Sequence, residues 1–175
     1  QPKIVSSGSV LLDGGKPAMD YDGVNDNLRT SKLVNIANVG TIAVMNLKNV
    51  ASGQLAITVS EGSSVQLYLA WNNSANNIRD FYGGTFADTT ATVGRKTYSL
   101  FTNSTRAKFY QDNIETSDLT KKAGTGTSSL RLGQYSGGSL STECSMQEFV
   151  LWESNEDANR TAIESNINAH YSIYP

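Results

Sequence analysis

Short runs of alternating apolar and polar residues recur along the chain and predict β-strands. Leu55, Ile57 and Val59 alternate with smaller or polar residues, which is the two-residue period of a strand with one buried face. Segment 41–48 is apolar on both faces and predicts a central strand. Further strands are predicted at 17–22, 65–71, 98–102, 106–111, 130–132 and 146–152.

Clusters of turn-forming residues separate these strands. Polar loops are predicted at 72–77 and 119–129, and a tight hairpin turn at 111–114 because Asp112 and Asn113 tolerate positive φ. Short strands with closely spaced turns are typical of an antiparallel sandwich. We therefore predict an all-β fold, a two-sheet antiparallel jelly-roll sandwich, as a single domain over residues 1–175.

One helical pattern lies near the C-terminal end. Ser154 or Asn155 can cap it, and the acidic residues 156 and 157 fall in its first turn, where they favour the helix dipole. Apolar residues recur there at helical spacing, namely Ala158, Ala162, Ile163, Ile167 and Tyr171. We expect one C-terminal α-helix that packs on the edge of the sandwich.

The composition agrees with a β-sandwich that has a weakly charged surface. The chain contains 21 Ser, 16 Thr and 16 Asn, whereas charged residues make up only 17% of it. This mixture suits turns and exposed strand positions and disfavours a helical bundle. Such a surface is more typical of extracellular or virion-surface proteins than of cytosolic enzymes, so we expect that location.

Charge and hydropathy argue against two classes of partner. The sequence pI is near 5.4 and no basic cluster is present, which disfavours nucleic acid. The longest apolar runs are too short for membrane insertion. Cys144 is the single cysteine, so no internal disulfide is expected. Because the chain begins at Gln1 without Met, we expect it to be an excised or processed part of a longer protein, through which it could oligomerise.

Several segments together resemble a known family. Residues 1–4 (QPKI) and 15–28 (GKPAMDYDGVNDNL) resemble the opening of laminin-G-like domains in the concanavalin A-like lectin/glucanase superfamily. Residues 130–133 (LRLG) and 146–152 (MQEFVLW) are similar to its closing strands, and 158–171 to its terminal helix. The resemblance implies a jelly roll with one concave sheet, of the non-catalytic branch found in secreted and bacteriophage surface proteins.

The paired acids of the superfamily's glucanases have no counterpart in this sequence. For retaining enzymes the resemblance implies acids spaced as Glu-x-Asp-x-x-Glu or Glu-x-Asp-x-Glu on one strand, with carboxyls about 5–5.5 Å apart. Glu148 stands alone between Met146 and Val150, and strand alternation predicts Glu143 on the opposite face. We expect Glu148 to be a structural carboxylate paired with a basic or hydroxyl group, and the chain not to be an enzyme.

Other chemically reactive residues are few. His170 is the only histidine and lies on the predicted helix, where a packing or helix-terminal role is favoured. Cys144 has no second histidine or cluster to lower the pKa of its thiol, so it is interpreted as an ordinary small residue. These residues do not indicate a nucleophilic triad or a zinc site.

The sequence suggests one candidate cofactor, calcium. Asp22, Asn25 and Asp26 are candidate ligands, with Asp20 close by, and the resemblance implies that related domains often bind calcium. The same residues suit a tight turn, because Asp and Asn side chains accept hydrogen bonds from nearby backbone groups. The turn is the favoured interpretation.

The best candidate carbohydrate site lies between residues 66 and 82. Sugar-binding surfaces combine an exposed aromatic ring with amide, carboxylate and guanidinium groups. The candidates are Gln66, Tyr68, Trp71, Asn72, Asn73, Arg79, Asp80 and Tyr82. The alternative is that Trp71 and Tyr82 pack at the rim and the Asn-rich run is a solvated loop. Trp152 is predicted in the core.

A second set of polar residues, Arg106, Lys108 and Tyr110, shares one strand face and is either a polar patch or the solvated side of a sheet. Two functions therefore stay open. The first is a non-catalytic recognition module of a secreted or phage virion protein that binds glycan. The alternative is a structural or decoration domain of a phage tail or capsid, which contacts other virion proteins and binds no ligand.

Overall fold

A computed structural model describes most of the chain. It covers residues 1–31, 34–35, 37–49, 54–59, 67–74, 77–82, 85–90, 92–120, 127–134 and 141–175. For residues 54–59, 67–74, 79, 81–82 and 127–128 it describes the backbone alone.

The described residues form short and medium-length strands followed by one helical segment. In chain order the strands are β1 (Val5–Ser6), β2 (Ser9–Val10), β3 (Leu12–Asp13), β4 (Lys16–Pro17), β5 (Met19–Asp22), β6 (Leu28–Arg29), β7 (Val34–Asn35), β8 (Gly40–Leu47), β9 (Gln54–Val59), β10 (Leu67–Ser74), β11 (Asn77–Tyr82), β12 (Thr85–Thr90), β13 (Gly94–Thr102), β14 (Arg106–Gln111), β15 (Ile114–Thr120), β16 (Thr127–Ser128), β17 (Leu130–Leu132) and β18 (Glu143–Trp152). A 3-10 turn at Asp157–Asn159 leads into helix α1 (Arg160–Tyr171).

The first sheet, sheet 1, has the antiparallel strand order β15-β14-β13-β8-β18-β5. Strand β8 lies at its centre and is buried along its length apart from the half-buried Asn46. The central strand predicted from segment 41–48 is thereby confirmed. At the β14–β15 hairpin, Asp112 and Asn113 have φ of 49° and 66°, which confirms the predicted tight turn.

The second sheet, sheet 2, has the order β12-β11-β10-β9-β17-β6. It contains three strands that the sequence analysis missed, β6, β11 and β12. The polar loop predicted at 72–77 is wrong for its first residues, because β10 continues to Ser74 and β11 begins at Asn77. The loop predicted at 119–129 is likewise wrong at both ends, since β15 runs to Thr120 and β16 covers Thr127–Ser128. The remaining strands form three two-stranded antiparallel pairs: the hairpins β1–β2 and β3–β4, and the long-range pair β7–β16.

The main hydrophobic core lies between the two sheets. Sheet 1 contributes large buried side chains such as Tyr21, Met45 and Phe109, and sheet 2 contributes Ile78 and Leu132. Each fully buried apolar side chain of this size stabilises the fold by roughly 1.5–3 kcal/mol. Because both sheets supply residues to one cluster, the core holds the two layers face to face.

Helix α1 covers the outer face of sheet 1. Its Ile167 packs in a second hydrophobic cluster with Ile42 and Val44 of β8, Phe101 of β13 and Tyr110 of β14. The expectation that the helix packs on the sandwich edge is therefore wrong. A strand that is apolar on both faces needs a cover on each side, and α1 is the cover on the outer side.

The predicted caps and acidic first turn of the helix are wrong, because α1 begins only at Arg160: its N-cap position is Asn159, and no acidic residue falls in its first turn. The Asn155 side-chain oxygen accepts a hydrogen bond from the backbone N–H of Asp157 at 2.9 Å. Ser154 instead donates to the Glu156 carboxylate at 2.6 Å.

The predicted fold class is confirmed, since the chain forms an antiparallel β-sandwich with a C-terminal helix. Among the residues described, no helix is long and apolar enough to cross a membrane.

Candidate functional site

A groove of about 380 Å³, here named the helix groove, lies between strand β18 and helix α1 on the outer face of sheet 1. Its lining residues are Glu148, Val150, Trp152, Ala162, Ile163, Asn166 and Ile167. Trp152 is half-buried and Asn166 is exposed, so part of the indole ring and the amide are both accessible to solvent. An aromatic ring beside a carboxylate and an amide is a combination that suits sugar recognition.

A β-bulge in β18 directs these strand residues toward the helix. The pairing of β18 with β8 shifts between Met146 and Glu148, so Gln147 is the extra residue. Met146 lies in the core between the sheets, whereas Glu148 is paired with Val44 of the cluster under the helix. Beyond the bulge, alternate residues as far as Trp152 therefore lie on the outer face. The prediction that Trp152 is a core residue is corrected to a half-buried position in the helix groove.

The same bulge corrects the relative placement of the two acids on this strand. Straight alternation predicted Glu143 and Glu148 on opposite faces. Cys144 is buried toward the core, which places Glu143 on the outer face, and the bulge places Glu148 on that face as well. Glu148 lies close enough to the Tyr171 hydroxyl to interact with it electrostatically, which agrees with a structural carboxylate beside a hydroxyl group. Burial is the larger cause of the raised pKa of Tyr171, and Glu148 adds to it.

The polar strand face of β14 anchors the segment that leads into α1. The Lys108 ammonium lies 3.0 Å from the Asp157 carboxylate, and the Tyr110 hydroxyl donates to the same carboxylate at 2.9 Å. Arg106 forms an ion pair with Asp118 at 2.6 Å. Lys108 and Tyr110 therefore hold the 3-10 turn in place, and this face is neither an open polar patch nor simply solvated.

The carbohydrate candidates between 66 and 82 fall on the β10–β11 hairpin of sheet 2. Gln66 lies outside the described residues, and for Tyr68, Trp71, Asn72, Asn73, Arg79 and Tyr82 the structure describes the backbone alone. The hairpin register pairs Tyr68 with Phe81 and Trp71 with Arg79. The structure thus brings the backbones of these candidates together on neighbouring strands. Their role in binding stays a prediction.

Asp80 differs from the other candidates because its side chain is in the protein interior. It is only 3% exposed, and its carboxylate accepts hydrogen bonds from Thr116 at 2.8 Å and from Ser117 at 3.0 Å. Burial raises the pKa of Asp80 to about 6, although the two hydroxyl donors act in the opposite direction. This position gives Asp80 a structural role between β11 and β15 rather than a place on a ligand-accessible surface.

The Asp80→Asn variant should remove a pH-dependent contribution to stability. The pKa of Asp80 is raised in the folded state from 3.8 to about 6, so the folded protein binds the proton more tightly than the unfolded chain. Its stabilising contribution is therefore present at low pH and is lost as pH rises through 6. Relative to the variant, the wild type should lose about 2 kcal/mol of unfolding free energy between pH 4.5 and 7.5.

Urea denaturation of both proteins at the two pH values measures this difference. Glu115→Gln, which makes the same charge change at an exposed position of β15, is the matched control and should track the wild type. An Asp80→Asn protein with the same pH dependence as the wild type would show that Asp80 does not titrate in this range.

The calcium candidates form a hydrogen-bonded turn between β5 and β6. Asp22 Oδ1 accepts the backbone N–H groups of Val24 at 2.8 Å and Asn25 at 3.3 Å, and Asp26 Oδ2 accepts the N–H of Asp22 at 3.0 Å. The hydrogen bond from Val24 is the main reason that the pKa of Asp22 is lowered. Within the described residues no group of three or more His, Cys, Asp and Glu side chains could hold a metal ion. These contacts favour the turn interpretation, and calcium binding by these residues stays a prediction.

Cys144 and His170, the two other residues with reactive side chains, lie in environments that do not activate them. Cys144 is fully buried, and burial raises the pKa of its thiol to about 12, so it is a packing residue. His170 is exposed in the last turn of α1, where its ring meets the Tyr171 ring edge-on with centroids 4.7 Å apart.

Comparison with known proteins by sequence identifies no family. No family model matches the chain. No curated protein matches it either.

Solved structures with a similar fold are found. A sialidase from Trypanosoma rangeli in complex with sialic acid superposes with a TM-score of 0.64 at 14% identity, covering 86% of this chain and 28% of the sialidase. A SAP-like pentraxin from Limulus polyphemus gives a TM-score of 0.57 at 8% identity, covering 83% of this chain and 79% of the pentraxin. A glycosyl hydrolase family protein from Mycobacterium fortuitum gives 0.53 at 13% identity, covering 79% and 76%.

These similarities show the fold of the chain and correct one expectation. The chain spans only about a quarter of the sialidase, which matches over 26–28% of its length. The prediction that the chain is not an enzyme is contradicted, because sialidases and a glycosyl hydrolase family protein stand among its structural neighbours. At 12–14% identity the likeness is a fold relationship and assigns no activity to this chain.

Proposed function

We propose that this domain binds carbohydrate and that the helix groove is its binding site. The observation that carries the proposal is the meeting of Trp152, Glu148 and Asn166 around one accessible volume of about 380 Å³. This volume lies within the roughly 300–1,000 Å³ range of small-molecule sites, which combine apolar walls with a few polar groups. Val150 and Ile163 supply further apolar wall.

The chemistry of the groove favours a neutral sugar. The accessible part of the Trp152 indole offers an apolar surface for the C–H face of a sugar ring. Asn166 can both donate and accept hydrogen bonds, and the Glu148 carboxylate can accept them from sugar hydroxyls. Since Glu148 is the charged group lining the groove, an anionic sugar would be repelled there.

The structural neighbours support a carbohydrate ligand at a coarse level. The Trypanosoma rangeli protein is a sialidase in complex with sialic acid, and another neighbour is a glycosyl hydrolase family protein. The proposal extends to membership of the laminin-G-like branch of the concanavalin A-like superfamily, supported by the sandwich and the sequence resemblance. It also extends to an extracellular or virion-surface location, supported by the low fraction of charged residues, 17%.

Filling the helix groove should abolish glycan binding without unfolding the protein. Ala162 is exposed and lines the groove, so in Ala162→Arg the long side chain would occupy the sugar position. Thr161→Arg places the same charge one residue earlier on the exposed surface of α1, outside the groove lining, and is the matched control. Binding to a glycan array, followed by affinity measurement on the best ligand, should fall at least tenfold in Ala162→Arg alone.

Two further variants separate this site from the β10–β11 hairpin. Asn166→Ala should weaken binding about 3- to 10-fold, because it removes one hydrogen-bonding group at the groove. If Tyr68→Ala and Trp71→Ala abolish binding while Ala162→Arg does not, the ligand binds at sheet 2 and the helix groove is not the site. If no glycan binds the wild type, the proposed function is wrong.

A further inference from the structure

A second cleft lies on the opposite layer of the sandwich, at the β6–β17 end of sheet 2. It has a volume of about 310 Å³ and is lined by Arg29, Thr30, Ser31 and Ser129. Arg29 ends strand β6 and is exposed, while Ser129 directly precedes β17 and is 1% exposed. The cleft is therefore polar, with a cationic side chain at its opening and a buried hydroxyl in its wall.

A second arginine stands beside this cleft. Arg131 of β17 is the direct cross-strand partner of Arg29. It alternates with the buried Leu130 and Leu132, which places it on the outer face of sheet 2. Two guanidinium groups on neighbouring strands both attract an anion that lies close to them, so this end of the sheet favours a negatively charged ligand.

The wall of the cleft contains a buried hydroxyl that lacks a hydrogen-bond partner. The Ser129 hydroxyl is buried, and within the part of the chain that the structure describes it neither donates nor accepts a hydrogen bond. A buried polar group without a partner carries a desolvation cost that a ligand could recover. This observation points to a ligand independently of the two arginines.

The neighbouring backbone is held rigidly. Thr30 Oγ1 accepts the N–H of Leu130 at 3.0 Å, and the Thr30 N–H donates to the Leu130 carbonyl at 3.0 Å. These two bonds fix the loop after β6 against β17, so Arg29, Ser31 and Ser129 keep their spacing. A site whose groups are fixed before binding loses less entropy when the ligand arrives.

We propose that this cleft binds the anionic group of an acidic saccharide, a carboxylate or a sulfate ester. The planar guanidinium group matches the geometry of such oxyanions, and the Ser129 hydroxyl would donate a further hydrogen bond. The saccharide part of this inference rests on the proposed function, whereas anion binding itself does not. With the helix groove, which favours a neutral sugar, on one layer and this cleft on the other, the domain would contact two parts of a polysaccharide or two chains.

NMR titration of the labelled protein with sodium sulfate, sodium glucuronate and glucose tests the proposal. Sulfate and glucuronate should shift the amide resonances of Thr30, Ser31 and Ser129, and glucose should not. Arg29→Gln should weaken glucuronate binding about tenfold or more, because a charge-assisted hydrogen bond is lost. Ser129→Ala should weaken it about 3- to 10-fold, and it should not lower stability, because the substitution removes a buried hydroxyl that has no hydrogen-bond partner among the described residues.

Arg106→Gln is the control for general charge attraction, since Arg106 is exposed on sheet 1 and does not line the cleft. Equal weakening by Arg106→Gln and Arg29→Gln would overturn the proposal, as would the absence of shifts with both anions. Binding of sulfate without glucuronate would overturn the carboxylate as the bound group and support a sulfate ester. Ala162→Arg should leave glucuronate binding intact, so failure of the helix groove and failure of this cleft are separate outcomes.

Discussion

Glu164→Ala should lower the free energy of unfolding by about 3–5 kcal/mol, because it removes one member of a buried ion pair. Glu164 lies on α1 with its side chain 1% exposed, and it is paired with Arg160 one turn earlier. Its other carboxylate oxygen accepts a hydrogen bond from the buried Ser99 hydroxyl of β13. The carboxylate therefore ties the helix to sheet 1, and its removal leaves a half-buried cation without its counter-ion and a buried hydroxyl without its acceptor.

The surroundings of Arg160 raise the cost of this change. The guanidinium carbon lies 4.0 Å from the centre of the Tyr110 ring, and Nη1 donates to the Asn113 side chain at 2.6 Å. Arg160 is thus held at a fixed place between α1 and the β14–β15 hairpin, and it cannot turn freely into solvent when Glu164 is absent. Docking of the N-terminal half of α1 depends on this group.

Urea denaturation followed by circular dichroism measures the loss. Glu164→Gln keeps an acceptor for Ser99 and removes the charge, so its cost should be smaller, about 1–3 kcal/mol. The double variant Arg160→Met with Glu164→Leu should recover much of the stability, since apolar residues can replace a buried pair. A loss below about 1 kcal/mol in Glu164→Ala would show that the pair does not hold the helix. Because α1 forms one wall of the helix groove, the same variant should also weaken glycan binding.

The sequence predicted the fold where local pattern and tertiary position agree. The double-sided apolar segment of β8 and the Asp112-Asn113 turn were both predicted from short-range chemistry alone. The two-residue period of β9 was recognised in the same way. Strands β11 and β12 were missed because residue type does not follow burial in them: the polar Asp80 is buried and the apolar Phe86 is exposed, so no apolar–polar alternation marks either strand.

The helix groove could not be predicted because it depends on two tertiary features. The first is the bulge at Gln147, a one-residue shift that leaves no mark in the apolar pattern of β18. The second is the surface on which α1 packs, since a helical stripe identifies the apolar side of a helix but not its partner. The sequence did contain one indication of where the helix packs. Segment 41–48 is apolar on both faces and needs a covering element on each side, and the C-terminal helix was the element available to cover the outer one.

Gly133→Ala adds a single methyl group at the end of β17, and it should lower the free energy of unfolding by about 2–5 kcal/mol through backbone strain and overpacking together. Gly133 follows β17 directly and has φ of +85°, a conformation that residues with a side chain rarely adopt. An added Cβ would overlap the ring of Tyr21, which is fully buried in the core, and would lie 2.8 Å from the Asp26 carbonyl oxygen. The ring is enclosed by the core, so it cannot move aside cheaply.

A second glycine separates the two causes of this cost. Gly15 has a similar φ of +78°, but nothing lies within 4 Å of the position of its added Cβ. Gly15→Ala should therefore cost only the backbone strain, about 1 kcal/mol. The difference between the two variants in urea denaturation then measures the steric contact with Tyr21. If both variants lower the free energy of unfolding by the same amount, the close approach of Gly133 to the Tyr21 ring contributes nothing to the cost of Gly133→Ala. If Gly133→Ala loses at least twice as much, the glycine at the end of LRLG is required because the β5 aromatic ring occupies the space of a side chain.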